Sequence, residues 1–395
     1  MISVAQALQT VLNSTQGFGV EEVPFLKSVG KVLKEDIVAD RDFPPFNRVS
    51  MDGIAINHRF FEHGIIDFNV EGIQAAGAEQ KTMTIDSNCM EVMTGAVLPI
   101  NTDTVIRYED VQIKNGIASI NLKILELGKN IHSKGKDRIQ GDLLIEKNTI
   151  ISAAEIGVIA TVGKATVKVA KTPKVIIVST GDELVEVNEN PLAHQIRRSN
   201  AFTLVSLLKK LGIKAKTSHI ADDKEVLQQK IANYLKKYDV LIFSGAVSKG
   251  KFDFLPAVLA ELKVEKLFHR ITQRPGKPFW YGVKNNKPVF AFPGNPISTF
   301  VNCLAYFYPW YYKSVGIKVK EEMAILGEDV SFKPSLTYFL QVKLENKFGH
   351  LVAFPITGNG SGDLASLIKT DAFIQLPNDR VEFKKGEVFP ILKYR

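Results

Sequence analysis

The stretch that decides the fold is Val-Phe-Ala-Phe-Pro-Gly-Asn-Pro-Ile-Ser-Thr-Phe, from Val289 to Phe300. Its apolar start predicts a buried strand, and Pro293-Gly294 is a turn pair. Asn295 suits a helix N-cap, and Pro296 suits the first helical position, where its missing N–H has no cost. Such a strand, turn and helix start direct backbone N–H groups and a positive dipole end towards an anionic ligand. An ordinary turn between strand and helix is the alternative.

A second turn lies just upstream, from Arg274 through Pro275, Gly276 and Lys277 to Pro278. It is stiff and carries two cations. Alone it is typical of a solvated basic loop. Next to the Pro293 turn it predicts a site for a phosphate or another oxyanion, because lysine and arginine bind such groups as charges and as donors.

Strands and helices alternate over the segment 172–318, which predicts a three-layer α/β domain with a largely parallel sheet. The helix expected from Asn200 to Leu211 would place Phe202, Val205, Leu208 and Leu211 on its inner face. The other predicted elements are strands at 175–178, 214–220 and 240–243, near 267 and at 289–292, and helices starting at 222–223, 253 and 296.

Three further domains are predicted around this segment. Ser3 caps an expected first helix, and residues 1–46 and 142–171 form an extended, discontinuous linker domain. Short β-like runs predict a mostly β domain at 47–141. The signal after Lys318 predicts a C-terminal β-barrel-like domain at 319–395. The chain has 395 residues, of which 45% are hydrophobic, enough for several cores.

Charge and cysteine content narrow the class of protein. The formal net charge is +8, but no aromatic-interleaved RNA-binding pattern or paired Cys/His ligand set is present, so we expect no nucleic-acid partner. No apolar run is long enough to span a bilayer, and no signal peptide is apparent. The only cysteines, Cys89 and Cys303, do not indicate a disulfide framework. We expect a cytoplasmic protein.

Acidic residues follow three strands of the predicted α/β sheet. Asp182-Glu183, Asp222-Asp223 and the loop from Ser244 to Asp253 come at strand ends, which converge at one edge of a parallel sheet. Carboxylates there could hold Mg²⁺ against phosphate oxygens. Helix capping is the alternative for Asp222, Asp223 and Asp253.

Two acids and a threonine stand in turns outside this domain: Asp52, Asp137 and Thr94. A turn aspartate usually bonds its own backbone, and Thr94 could do the same or bind an oxyanion. None of the seven histidines lies in a nucleophile context, so Ser-His-Asp catalysis is not expected.

Seven short motifs in order resemble the molybdopterin molybdenumtransferase family, which includes MoeA and the equivalent domain of gephyrin. The resemblance covers nearly the whole chain. The motifs are Ser50-Met51-Asp52-Gly53, Met93-Thr94-Gly95-Ala96 with Pro99, Gly128 to Ile131 with Gly135-Lys136-Asp137, Ser179-Thr180-Gly181-Asp182-Glu183-Leu184, Pro275-Gly276-Lys277-Pro278, Pro293-Gly294-Asn295-Pro296 and Gly360-Ser361-Gly362.

The resemblance implies a reaction and an assembly. The family takes adenylylated molybdopterin and molybdate, releases AMP with help from Mg²⁺, and leaves molybdenum on the dithiolene. Its members are elongated homodimers of four-domain chains, and the site lies between the α/β domain of one subunit and the Asp52-bearing domain of the other. Molybdopterin adenylyltransferase and molybdoenzyme chaperones are further partners that this resemblance implies.

The resemblance also implies roles for individual residues. The matching acids, expected to act in catalysis, are Asp52, Asp137, Glu183, Asp223 and Asp253, with Glu183 and Asp253 as the Mg²⁺ ligands. The matching substrate-binding residues are Thr94, Ser179, Gly181, Asp182, Ser244, Gly245, Ser248, Arg274, Lys277, Pro293, Gly294, Asn295 and Pro296.

The chain departs from the family pattern in five places. Ala246 stands where the family usually has glycine, Lys249 adds a charge, Arg274 stands where lysine is common, Phe292 replaces a usual leucine, and Leu336-Thr337 replaces a Gly-Arg pair. Two alternatives therefore remain beside molybdenum insertion. They are a molybdopterin adenylyltransferase, which shares the α/β domain, and a non-catalytic pterin-binding or scaffold protein.

Overall fold

A near-continuous run of apolar residues builds the centre of the α/β unit. In the computed structural model, which describes residues 1–245, 247 and 253–395, the strands Val175–Thr180 and Val240–Ser244 are buried along their whole length. Burial on both faces is the property expected of parallel strands covered by helices. The six strands of the sheet lie in the order Lys216–Ile220, Val175–Thr180, Val240–Ser244, Lys287–Phe292, Trp280–Lys284 and Glu265–His269.

The first four strands of this sheet are parallel, and Trp280–Lys284 pairs antiparallel with both of its neighbours. Alternate strand residues face opposite sides: Ile177 and Ile242 pack in one core, Ile176 and Leu241 in the other. Helices cover both faces, so the predicted three-layer domain with a largely parallel sheet is confirmed. Its helices are Asn200–Lys210, Lys224–Lys237, Leu255–Glu261 and Pro296–Asn302, the last continued by a π-helical turn, Cys303–Phe307, and by the helix Tyr308–Val315.

The inner face of the helix Asn200–Lys210 differs from the predicted one. Ala201, Leu204 and Leu208 are buried, whereas Phe202 is 41% exposed. The four predicted positions are spaced three residues apart, so the first and the last differ by nine residues. At about 100° per residue, nine residues make two and a half turns. A side chain at 202 therefore points away from one at 211, and the prediction for Phe202 was wrong.

The helix predicted to begin at Asp253 begins later. It runs from Leu255 to Glu261, with Phe254 at the N-cap and no side-chain capping bond. Pro256 lies in its first turn, where the absent N–H is tolerated. Asp253 therefore lies one position before the N-cap of this helix.

A mostly β unit precedes the α/β segment, as the pattern of short runs predicts. Ile54, Phe68 and Cys89 are fully buried in its core. It contains a short pair, Arg48–Val49 with Ile131–His132, a short helix, His58–Glu62, and a 3₁₀ turn, Tyr108–Asp110. The strands of its mixed sheet lie in the order Thr104–Arg107, Gly53–Ile56, Cys89–Val92, Asp67–Gln74, Ile117–Ile120 and Val111–Lys114.

Two segments far apart in sequence pair to form an extended unit. Val20–Pro24 pairs with Thr166–Ala170, and Ile37–Val38 pairs with Leu143–Ile145. A 3₁₀ turn, Phe25–Lys27, and the helix Ala153–Thr161 complete it. These pairings join the two stretches assigned to the discontinuous linker domain, whose boundaries stay a prediction.

The first helix, Val4–Asn13, has Ser3 as its N-cap in a reciprocal bonding pattern with Gln6, as predicted. Its buried side chains, Val4, Ala7 and Val11, pack in the α/β core. Trp310 Nε1 donates to Ser14 O at 3.3 Å, which fastens the end of this helix to the α/β unit.

The C-terminal strands close into a barrel. Thr337–Lys347 pairs with His350–Pro355 on one side and with Ala372–Leu376 on the other. Glu322–Leu326 and Val388–Lys393 complete the ring. The unit also contains a 3₁₀ helix, Leu364–Lys369, and a small pair, Val330–Ser331 with Glu382–Phe383. Among the described residues, no helix is both long and apolar enough to cross a bilayer.

Candidate functional site

A cavity of about 630 Å³ opens where three parallel strands of the α/β sheet end. The strands are Val175–Thr180, Val240–Ser244 and Lys287–Phe292, and the residues after them form the cavity walls. The structure therefore brings together ten of the residues expected from sequence to form a site: Ser179, Gly181, Glu183, Ser244, Gly245, Asp253, Pro293, Gly294, Asn295 and Pro296.

Asn200 holds two of these loops together. Its Nδ2 donates to Ser244 Oγ at 2.9 Å and to Gly294 O at 2.6 Å. Asn295 occupies the N-cap position of the helix Pro296–Asn302, but its side chain makes no capping bond. It donates instead to Ser361 Oγ of the barrel unit at 2.9 Å. The Pro293 turn is thus fixed from two sides by amide side chains.

Two glycines in the cavity wall occupy positions that a larger residue would not tolerate. Gly181 has φ +131°, and a Cβ there would lie 2.4 Å from Glu183 Oε2. Gly245 has φ +105°, and its Cβ would lie 3.0 Å from Thr180 Oγ1. Both conformations disfavour a side chain, so the tight approach of these loops depends on glycine.

A group of carboxylates surrounds Asp222, which also lines the cavity. Burial raises the pKa of Asp222, and the negative charges of Asp182, Glu183 and Asp253 raise it further. A hydrogen bond from the Asp182 backbone to the Asp222 carboxylate acts in the opposite direction. The backbone N–H of Asp222 in turn donates to Asp182 Oδ1 at 3.0 Å. The site is therefore one where an added positive charge is favourable.

The neighbouring Asp223 lies differently. It is the N-cap of the helix Lys224–Lys237, and its Oδ1 accepts from Val226 N at 2.9 Å. It is not among the residues that line the cavity. Of the pair Asp222-Asp223, the second matches the capping interpretation and the first faces the cavity.

Arg274 and Lys277 line an adjoining cavity of about 480 Å³ between the α/β unit and the barrel. Asn295 and Pro278 belong to the walls of both cavities. The two cations therefore lie next to the strand-end cavity rather than inside it. Sequence spacing predicted a single site and could not separate the two spaces.

A buried network supports the loop that carries these cations. Gln273 Nε2 donates to Asn302 Oδ1 at 2.7 Å and to Pro275 O at 2.9 Å. Tyr306 OH donates to Gln273 Oε1. Gly276, with φ +90°, has no room for a Cβ because Asn302 Oδ1 would lie 2.6 Å away. The backbone of this loop is thus held from inside the protein.

The predicted residues of the N-terminal half lie elsewhere. Asp52 Oδ1 accepts from Thr94 N at 2.6 Å. This bond and a second one from the Thr94 side chain lower the pKa of Asp52. Asp137 Oδ1 lies 2.9 Å from His132 Nε2. All three predicted residues, Asp52, Thr94 and Asp137, are exposed and line neither cavity.

Some expectations concern residues that the structure does not describe. Ser248, Ala246 and Lys249 lie outside the described residues. Among those described, no three His, Cys, Asp or Glu side chains are grouped so that they could hold a metal ion. Asp182 is not among the residues that line the strand-end cavity, but its Oδ1 accepts a hydrogen bond from the backbone N–H of Asp222, which does line it.

Thr180, Arg198 and Asn200 line the cavity but were not among the site residues expected from sequence. Asp222, which also lines it, was noted as a strand-end acid without being assigned a role. Asn200 follows a basic pair and opens a helix, and Asp222 follows a strand, so position alone offered a signal for both. Nothing in the sequence distinguishes Arg198, which is buried, from its neighbour Arg197, which is exposed.

Three family models match the chain in order. They are the MoeA N-terminal region (domain I and II) at residues 2–163, the "Probable molybdopterin binding domain" at residues 176–310, and the MoeA C-terminal region (domain IV) at residues 323–394. The first and third frame the second on both sides, which a protein sharing only the α/β domain would not show.

Whole-length relatives agree with these matches. A molybdopterin molybdenumtransferase of Synechocystis sp. is 39% identical, over 99% of each chain. One of Staphylococcus aureus is 30% identical, over 99% of this chain and 95% of the relative. A crystal structure of the molybdopterin biosynthesis MoeA protein from Pyrococcus horikosii has a TM-score of 0.86 at 32% identity, covering 100% and 99% of the two chains. The chain therefore belongs to the MoeA family, the molybdopterin molybdenumtransferases.

Proposed function

We propose that this member of the family acts on adenylylated molybdopterin and molybdate, releases AMP and leaves molybdenum on the dithiolene. The observation that carries the proposal is the pair of adjoining cavities. One is lined by carboxylates and close-packed glycine turns, and the other by Arg274 and Lys277. A nucleotide phosphoanhydride and molybdate are both anions, and two neighbouring spaces would keep them close without overlap.

The two cavities suggest a division of work. Arg274 and Lys277 would offset the negative charge of molybdate. The turns at Gly245 and Gly294 let the substrate approach the backbone closely, since glycine has no side chain to prevent it. Asn295, in the wall between the cavities, would keep the bound groups in register, and such positioning accounts for much of the rate in reactions between two bound molecules.

We further propose that Glu183 and Asp253 hold Mg²⁺. Two carboxylates do not make a metal site alone, but Mg²⁺ keeps several waters and takes its remaining ligands from substrate phosphates. The raised pKa of Asp222 marks excess negative charge at this place, which fits a bound cation. When bound, Mg²⁺ would offset the charge on the phosphate oxygens.

A homodimer would complete the site. Asp52, Thr94 and Asp137 are exposed and line neither cavity of their own chain, so they are available to another subunit. We propose that they face the strand-end cavity of the partner. The cytoplasmic location, the adenylyltransferase partner and the chaperone partner stay predictions of the family resemblance.

The test uses purified protein with adenylylated molybdopterin, Mg²⁺ and molybdate. We expect AMP to appear only when molybdate is present, with molybdenum retained on the protein-bound pterin. AMP is measured by chromatography and molybdenum by elemental analysis. Glu183→Gln should abolish AMP release, whereas Glu225→Gln, at an exposed position on the helix Lys224–Lys237, should not.

Other results would overturn the proposal in distinct ways. Tight pterin binding without AMP release would identify a carrier or scaffold. Formation of adenylylated molybdopterin from ATP and molybdopterin would identify an adenylyltransferase. Full activity of Glu183→Gln would remove that carboxylate from the proposed metal site.

A further inference from the structure

Arg198 is the one buried side chain among the Asp, Glu, Lys and Arg residues that the structure describes, with 5% exposure. It follows the short strand Ile196–Arg197, which pairs with Leu184–Val185. Its backbone N–H donates to Val185 O at 3.0 Å. Arg198 lines the strand-end cavity together with Arg197 and the carboxylates of Glu183, Asp222 and Asp253, and it is the buried one among these charged residues.

The contacts of this guanidinium leave one buried donor atom, Nε, without a partner in the part of the chain that the structure describes. Nη1 pairs with Glu186 Oε1, and Cζ lies 5.9 Å from the ring centre of Phe202. Nε is buried and has no hydrogen-bond partner among the described residues. An unpaired buried donor on a cation is unfavourable, unless a ligand supplies the acceptor.

A second buried donor of the same cavity is also unused. Thr180 is 3% exposed, and its Oγ1 lacks a partner among the described residues. It lies beside Gly245, where a Cβ would come within 3.0 Å of it. Arg198 Nε and Thr180 Oγ1 are therefore two buried donors without acceptors in the described part of the chain, on different elements, in residues that line the same cavity.

We propose that Arg198 Nε–H and Thr180 Oγ1–H donate to a tetrahedral oxyanion bound in this cavity. The inference rests on the proposed function, which assigns molybdate to the cavity of Arg274 and Lys277, so the oxyanion expected here is the adenylyl phosphate and molybdate is the other outcome of the test. Both present negatively charged oxygens on a tetrahedral centre, and arginine binds such groups with fixed geometry. Arg198 also offsets the repulsion from Glu183, Asp222 and Asp253, which line the same space.

The experiment measures equilibrium binding of AMP and, separately, of molybdate to the full chain by titration calorimetry. Arg198→Lys keeps the charge but loses the planar donor, and we expect its affinity for the oxyanion to fall about tenfold. Thr180→Val should lower the affinity severalfold. Its melting temperature should stay the same or rise, because the hydroxyl has no partner to lose in the free protein.

Two control variants separate ligand binding from a structural role. Glu186→Gln removes the ion pair but not the unused Nε–H, so it should keep or raise oxyanion affinity. Thr217→Val removes an exposed hydroxyl from the strand Lys216–Ile220 and should change nothing. If Arg198→Lys and Glu186→Gln lower melting temperature and affinity together, Arg198 only anchors its loop and the inference is overturned.

The two ligands and the turnover assay keep the outcomes apart. Loss of AMP binding alone identifies the phosphate as the oxyanion, and loss of molybdate binding alone identifies molybdate. Unchanged affinities in both variants, or no binding by the parent protein, would overturn the inference even if AMP release is normal. Oxyanion binding that depends on Arg198, without any AMP release, would overturn the proposed function and leave the inference standing.

Discussion

At the scale of single residues, glycine and aspartate carry the geometry and the charge of the strand-end cavity. Gly181 folds back so tightly that the carboxylate of Glu183 occupies the place of a Cβ. Burial and the charges of three other carboxylates raise the pKa of Asp222. Both features oppose stability in the free protein, and both are understandable if a charged ligand or metal ion is bound there.

Replacing Gly181 by alanine should affect both fold and activity. The positive φ costs a non-glycine residue about 1–2 kcal/mol, and the Cβ would also displace the Glu183 carboxylate. We expect a lower melting temperature and little AMP release. Gly212→Ala is the matched control, because Gly212 has φ +74° but open space around it. Equal AMP release by the two variants would contradict this explanation.

The raised pKa of Asp222 predicts a pH dependence of stability. Because the folded-state pKa lies above the ordinary 3.8, the folded protein holds this proton more tightly than the unfolded chain does. Stability should therefore decline as the pH rises above about 4 through the folded-state pKa. Asp222→Asn, which stays neutral, should be more stable than the parent protein at pH 7 and less dependent on pH across this range.

Thermal unfolding between pH 4 and 7, without Mg²⁺, measures this effect. Asp223→Asn is the control, since asparagine also serves as an N-cap. It should follow the pH dependence of the parent protein. A parent protein whose melting temperature rises steadily over this range, in parallel with that of Asp222→Asn, would refute the assignment.

At the scale of elements, helix caps show how far local sequence determines structure. Ser3 was expected at a helix start, and it makes reciprocal capping bonds with the residue three positions on, as Ser152 also does. Asp223 also caps as its position suggests. For these residues the signal and the partner lie within one helical turn, so the sequence suffices.

We expect Asp223→Ala to destabilise the protein by about 1 kcal/mol through loss of the cap on the helix Lys224–Lys237. Chemical denaturation with urea measures the change in the free energy of unfolding. Asn295→Ala is the comparison, because Asn295 occupies a cap position without making a capping bond. Its cost should come only from the bond to Ser361. A stability loss confined to Asn295→Ala would show that the capping assignment is wrong.

Where the partner lies far away in sequence, local reasoning failed. Asn295 bonds a barrel residue, 66 positions away, instead of its own helix. Phe202 was assigned inward from spacing alone, yet the sheet contacts the other side of that helix. Arg198 and Thr180 look like ordinary loop and strand-end residues, and only the fold reveals that their donors are buried. Motif order predicted the family and the cavity loops, whereas the separation into two cavities depends on how the barrel packs.

At the scale of the whole molecule, the expected site residues fall into two groups. Asp52, Thr94 and Asp137 belong to the N-terminal β unit, and Glu183 to the α/β unit. Isologous dimers repeat every contact twice. If the groups meet across subunits, each dimer has two sites, and each site takes one group from each chain.

Mixing two inactive variants tests this arrangement. Asp52→Asn and Glu183→Gln should each abolish AMP release, and a mixture unfolded and refolded together should recover about one quarter of the parent activity, since half of randomly formed dimers are mixed and each has one intact site. Sites formed within a single chain would recover no activity. Mixing without unfolding serves as the control for subunit exchange.

The two-residue strand Gln273–Arg274 pairs with the barrel strand Thr337–Lys347, although it belongs to the α/β segment in sequence. Arg274, one of the two cations of the second cavity, is thus part of the sheet of the barrel unit. Replacing the barrel alone by that of a relative would therefore change the strand against which Arg274 is paired. Chimeras in this family should therefore be cut so that residues 271–278 and the barrel come from the same parent.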